Sequence, residues 1–153
     1  MGVDQPYLSR RQNWITQLER HALMQPDATA LRFKGRTITW TQLDGRVTAL
    51  AGALHRRGVG SGDRVMILML NRPEFIEATL AANRLGAIAV PVNFRLTVPE
   101  LAYLVENCGA AVVLTEPALV ALAAGVRDIA SVLAKVIVAE ESTAPTDPNL
   151  LGY

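Results

Sequence analysis

Val65-Met66-Ile67-Leu68-Met69-Leu70, followed by Asn71-Arg72-Pro73-Glu74-Phe75, is the stretch that decides the fold. The first six residues are all apolar. They show no alternation, and the run is too short for a free-standing helix. That is the pattern of a strand buried on both faces, as in parallel sheets. Asn71 can then cap a helix, with Pro73 in its first turn and Glu74 at the capping-box position. The helix ends at Gly86. Ala87 to Val90 reads as a second short buried strand, which Pro91 ends.

The same alternation continues toward the C-terminus. Thr97, Pro99 and Glu100 start a helix that ends near Asn107-Cys108-Gly109, and Ala111 to Leu114 is a strand. Pro117 to about Ala134 reads as helical with a break at Gly125, and Lys135 to Val138 as a strand. From Glu140 onward Ser, Thr, Pro, Asp and Asn dominate, which reads as a loop or linker.

Toward the N-terminus, Gly58-Val59-Gly60-Ser61-Gly62-Asp63 is a turn cluster, with Asp63 expected to tie down the turn. Thr39 and Gln42 have capping-box spacing, so a helix should run from there to about Arg57, with Gly58 as its left-handed terminator. Its apolar positions are Leu43, Val47, Leu50 and Leu54. Before it lies a hairpin: Ala28 to Phe33, the turn Lys34-Gly35, then Arg36 to Trp40. A first helix starts near Asn13, with Trp14, Leu18, His21 and Ala22 on one face, and Pro26 stops it. The expected fold class is α/β: an N-terminal helix and β-hairpin, then β-α-β-α-β-α-β, with a mostly parallel sheet covered by helices on both faces.

Bulk properties narrow the function classes. Half of the 153 residues are hydrophobic and 19% are charged, as in a globular domain. Mean hydropathy is +0.23, high for a domain of this size, which implies either a very full core or apolar surface that expects a partner. The net charge of +1 gives no reason to expect a nucleic-acid partner. Cys108 is the single cysteine, so an intrachain disulfide is impossible, which fits a reducing, cytoplasmic setting. His21, His55 and Cys108 lack metal-ligand spacing. Residues 1 to 12 have no apolar core of signal-peptide length, and no run is long enough for an integral membrane segment.

In an open α/β sheet, ligands bind beyond the carboxyl ends of the strands. Those ends carry Asn71-Arg72, Pro91-Val92-Asn93-Phe94-Arg95 and Thr115-Glu116. None is a GxGxxG or Walker loop. Arg95, in the loop after a buried strand, can hold a phosphate by a bidentate contact. It can equally be solvated or pair with Glu100. Asn93 is expected to brace its turn and Asn71 to cap a helix. Trp14 and Trp40 read as core or interface aromatics, and His21 and His55 as surface or half-buried helix residues.

The ordered set Thr39-Trp40-Thr41-Gln42-Leu43, Gly58-Val59, Gly62-Asp63-Arg64-Val65, Asn71, Glu74-Phe75, Ala81, Gly86-Ala87, Pro91-Val92-Asn93, Arg95-Leu96 and Glu100-Leu101 resembles the N-terminal part of AMP-forming acyl-CoA synthetases of the adenylate-forming superfamily. The resemblance covers about residues 13 to 140. The opening Pro6-Tyr7-Leu8 to Pro26-Asp27 stretch and Met66 to Asn71 resemble the actinobacterial fatty-acid-CoA ligases.

The resemblance implies a parent enzyme that uses ATP, CoA and Mg²⁺ to activate a fatty acid. The carboxylate is joined to AMP and then passed to the CoA thiol. It also implies that Arg95, in Asn93-Phe94-Arg95-Leu96, contacts CoA phosphate. On this reading residues 1–140 are an N-terminal subdomain and 141–153 a linker. The family's Ser/Thr/Gly-rich ATP loop ending in Lys is absent from these 153 residues. They are therefore expected to be inactive alone, to bind no cofactor tightly, and to self-associate through apolar surface. A non-catalytic binding or dimerisation module and a flavodoxin-like nucleotide-binding domain are the alternatives.

Overall fold

The structure, a computed structural model, describes residues 13–133, 135–138 and 150–152. Residues 1–12, 134, 139–149 and 153 lie outside the described residues, and with them most of the linker expected at 141–153. The chain divides into two compact units, Met1–Asp44 and Gly45–Tyr153.

The first unit holds helix α1 (Trp14–Met24), strands β1 (Thr29–Phe33) and β2 (Arg36–Thr39), and the start of helix α2 (Trp40–Arg56). Asn13 caps α1, its side chain accepting from the Thr16 N–H at 2.9 Å. The hairpin turns on Lys34 and Gly35, both at positive φ, as a two-residue turn between right-twisted strands demands. Ile15, Leu18, Ile38 and Leu43 are buried. Trp14 corrects the expected helical face, because it is 72% exposed. It is the first residue of α1, and a side chain leaning toward the N-terminus there has no preceding turn to lie on. Trp40 instead stacks on His21 at 4.4 Å. The capping box that opens α2 is present: the Thr39 N–H donates to Gln42 Oε1 at 3.0 Å, and the Gln42 N–H to Thr39 Oγ1 at 3.3 Å.

In the second unit α2 ends as the sequence predicts. Gly58 takes φ 89°, its N–H donates to His55 C=O at 2.9 Å, and the Val59 N–H reaches back to Leu54 C=O at 3.1 Å. That reversal needs a residue without a Cβ penalty. Asp63 holds the following turn by accepting from the Gly60 N–H at 2.8 Å.

Five strands follow: β3 (Arg64–Leu68), β4 (Ile88–Pro91), β5 (Val112–Thr115), β6 (Lys135–Val138) and β7 (Leu150–Gly152), in the order β4-β3-β5-β6-β7, all parallel. They alternate with α3 (Pro73–Arg84), α4 (Val98–Cys108) and α5 (Val120–Ile129). Right-handed crossovers that go left for β4 and right for β5 and β6 put α3 on one face and α4 and α5 on the other. Met66, Leu68, Val113 and Val136 form one core with Leu101, Ala102 and Val105 of α4 and Ala123 and Val126 of α5. The alternate residues Val65, Ile67, Leu114 and Ile137 are buried on the opposite face.

Four local expectations are corrected. Arg72, not Asn71, is the N-cap of α3; it is extended at φ −152° and makes no side-chain cap bond. Pro73 at the first helical position forces the residue before it out of helical space, and this outranks the capping preference of Asn71. Pro117–Leu119 is a 3-10 turn ahead of α5, so the irregularity lies there and not at Gly125. Gly125 is helical, and a Cβ on it would sit 3.1 Å from Val98 Cγ2, so its bareness lets α4 and α5 approach. Pro91 closes β4 from within; an edge strand tolerates a missing N–H. Leu150–Gly152 extends the sheet where a linker was expected.

Candidate functional site

Strand order reverses around β3, with β4 laid on one side and β5 on the other. The carboxyl ends of these three strands are therefore where a ligand crevice is expected. Two arrangements occupy that edge.

The first is the loop after β4. The Val92 N–H is tied to Ile67 C=O at 3.1 Å. Asn93 braces the turn as the sequence predicts: its Oδ1 accepts from the Arg95 N–H at 3.0 Å and its C=O from the Leu96 N–H at 3.2 Å. Thr97 and Glu100 then form a capping box that starts α4, with Thr97 N–H and Oγ1–H both donating to Glu100 Oε2, at 2.8 and 2.7 Å. The Thr97 backbone N–H, and after it the hydroxyl, hold the Glu100 carboxyl below its usual range. Glu100 is thus engaged by Thr97. Arg95 is exposed, with its guanidinium carbon 5.2 Å from the neighbouring Phe94 ring centroid, and makes no ion pair with a described residue. It is a cation on a braced loop, able to meet an anion from solvent.

The second arrangement was not foreseen. Glu116, just past β5, accepts from the Leu70 N–H at 2.7 Å through Oε1 and from Arg72 Nη1 at 2.6 Å through Oε2. Arg72 Nε also donates to Glu74 Oε2 at 2.8 Å. Arg46 of α2 lies 3.6 Å from Glu74 and forks onto Glu77, Nε to Oε1 at 2.7 Å and Nη2 to Oε2 at 3.0 Å. Charges alternate along Glu116, Arg72, Glu74, Arg46 and Glu77. The first three side chains are about nine-tenths buried. This chain ties the ends of β3 and β5 to α3 and α2. A signal for it existed: Glu74, Glu77, Ala78 and Ala81 recur at i, i+3, i+4 and i+7, which puts two carboxylates on the small, buried face of α3.

Burial alone would raise the pKa of Glu74. The Arg72 hydrogen bond, a backbone N–H and the charges of Arg72 and Arg46 outweigh it and hold the carboxyl below 4.5. A depressed folded pKa contributes stability that is present above the unfolded value and lost as pH falls through the folded one. Urea midpoints are therefore expected to be steady from neutral pH down to about 5 and to drop below about 4.5. Glu74→Gln should flatten that drop, and an unchanged slope would remove Glu74 from it.

The described residues at this edge offer no site for Mg²⁺. Glu74, Glu77 and Glu116 are each engaged by arginine, and no described group of three or more His, Cys, Asp and Glu can hold a metal ion. Arg95 does fit a phosphate. No described helix is long and apolar enough to cross a membrane.

Comparison with known proteins agrees with this architecture. Residues 18–150 match the AMP-binding enzyme family. A feruloyl-CoA synthase of an Amycolatopsis species is 44% identical over 110 residues, 69% of this chain and 22% of that enzyme. An uncharacterized protein of Mycobacterium tuberculosis is 38% identical over 100 residues, 64% of this chain and 57% of that one. The inhibitor-bound N-terminal domain of FACL13 from Mycobacterium tuberculosis superposes with a TM-score of 0.77 at 28% identity, covering 82% of this chain and 33% of that one. This chain thus spans about a fifth of the length of the first of these relatives. A parallel sheet in the order β4-β3-β5-β6-β7, the motif series from Thr39 to Leu101 and a family match over most of the sequence together make this chain a member of the AMP-binding enzyme family, corresponding to the N-terminal part of its CoA ligases.

Proposed function

We propose that this chain is the N-terminal scaffold of an AMP-forming acyl-CoA ligase. In that reaction a carboxylate displaces pyrophosphate from ATP to give an acyl-adenylate, and the CoA thiol then displaces AMP. The observation that carries the reading is the Asn93–Arg95 turn: an exposed guanidinium, held by its own backbone, at the carboxyl edge of the sheet. Arg95 is the residue proposed to take a phosphate of CoA. ATP and Mg²⁺ would be held by segments these 153 residues do not contain, so the chain alone is proposed to be inactive and to bind neither tightly. A fatty acid is the proposed substrate, on the likeness of Met66 to Asn71 to fatty-acid-CoA ligases. A cytoplasmic location and self-association through exposed apolar residues such as Ile88 and Tyr103 belong to the same reading.

The test is an acylation assay on the full-length parent beside residues 1–153, with fatty acids of graded length and with ferulate. Acyl-CoA formation by the parent alone, on fatty acids, supports the proposal. A preference for ferulate would overturn the substrate class. Arg95→Ala should raise the KM for CoA about tenfold or more, the scale of one lost charge-assisted hydrogen bond, and leave pyrophosphate release unchanged. An equal loss in both half-reactions would remove Arg95 from the CoA site.

The second reading, a non-catalytic binding or dimerisation module, is favoured by the Mycobacterium tuberculosis relative, more than half of which is this one region. A downstream reading frame with a Ser/Thr/Gly-rich loop ending in Lys supports the ligase. A stop codon directly after Tyr153 supports the module.

A further inference from the structure

At the opposite, amino end of the sheet lies a cleft of about 220 Å³ lined by Arg57, Asp63, Arg64, Lys135, Gly58 and Gly109, among others. Three cations share it. Arg57 ends α2, Arg64 opens β3 and Lys135 opens β6, and all three are half-buried. Partly desolvated charges are ordinarily paired. Here none of the three makes an ion pair with a described residue. Asp63, the one carboxylate among the described residues lining the cleft, accepts from the Gly60 N–H at 2.8 Å through one oxygen and keeps its charge.

Helix capping explains part of the arrangement. Arg57 Nη1 donates to Ala53 C=O at 3.0 Å. Arg64 donates Nε to Cys108 C=O at 2.6 Å, Nη2 to Gly109 C=O at 2.7 Å and Nη1 to Gly62 C=O at 3.1 Å. Lys135 Nζ donates to Arg57 C=O. All of these carbonyls but that of Gly62 lie at the ends of α2 and α4, where positive charge is favoured. Yet a guanidinium carries five N–H donors and an ammonium three, so each cation keeps donors to spare. Against three cations the described lining sets one carboxylate, Asp63, and the partial negative charge of two helix ends, so a net positive charge remains.

We propose that this cleft binds a phosphate-sized oxyanion, with Lys135 and Arg57 as its principal contacts and Arg64 setting the floor. A tetrahedral dianion supplies the countercharge still lacking and enough acceptors for the spare donors. This site lies at the other end of the strands from Arg95 and does not depend on the ligase reading.

The test is a titration of ¹⁵N-labelled 153-residue chain with inorganic phosphate at neutral pH, with sodium chloride at matched ionic strength as the control. Saturable shifts are expected at the amides of Gly58, Val59, Gly62 and Val112, with none of comparable size in chloride. Lys135→Gln should weaken phosphate at least tenfold. Because Lys135 also touches α2, Arg57→Gln is the companion variant: it removes only one hydrogen bond to Ala53 and should weaken binding similarly. Shifts that rise linearly without saturation, or folded variants that bind phosphate as the native chain does, would overturn the proposal. If one variant fails to fold by circular dichroism, the other decides.

Discussion

Arg46→Met is expected to cost about 3 kcal/mol of stability at neutral pH, more than the change Glu77→Gln at the other end of the same ion pair. The asymmetry follows from exposure. The Glu77 side chain is 1% exposed and that of Arg46 is 41% exposed. Removing the arginine strands a carboxylate in the buried part of α3, where water hardly reaches it. Replacing Glu77 by glutamine keeps the shape and a hydrogen-bond acceptor, and leaves a guanidinium that solvent can cover and that still has Glu74 at 3.6 Å. Urea unfolding of the two variants decides it. If Glu77→Gln proves the more costly, the fork onto Arg46 is not what keeps that carboxylate buried.

Leu114→Ala is expected to cost about 3–4 kcal/mol, the middle of the range for deleting a fully buried leucine side chain. Leu114 is 0% exposed and sits in β5 between Ile67 of β3 and Ile137 of β6, both also buried. Strands on both sides hold the backbone in place, so the void cannot collapse easily. Tyr103→Ala removes more atoms, but Tyr103 is 66% exposed, and its loss should stay within about 0.5 kcal/mol. Equal shifts in the urea midpoint for the two variants would contradict this placing of the core.

What the sequence made legible was what neighbours in the chain decide. The run Val65 to Leu70 announced a doubly covered strand because nothing polar interrupts it, although the strand itself ends at Leu68 and Leu70 is exposed. Thr39 with Gln42, and Thr97 with Glu100, announced helix starts because four consecutive residues hold the whole device. Asn71 failed as a cap because Pro73 acts over a shorter range still. The charged chain from Glu116 to Glu77 stayed hidden because its links join distant positions, such as Leu70 to Glu116 and Arg46 to Glu77. No local pattern pairs them. β7 was missed because three residues are too few to show a period. Arg95 was placed correctly on its loop, while its exposure and its freedom from Glu100 became visible only in three dimensions.

The order of the strands also sets a timetable for synthesis. Met66 pairs with Val90 on one side and with Val113 on the other. At about 5–20 residues per second on a ribosome, the β4 edge of β3 can be satisfied a second or more before β5 has been made. Through that interval the opposite edge of β3, four of whose five residues are buried and apolar, waits open beside the ribosome. Slow codons between Pro91 and Val112 would lengthen the wait and favour adhesion between nascent chains over completion of the sheet.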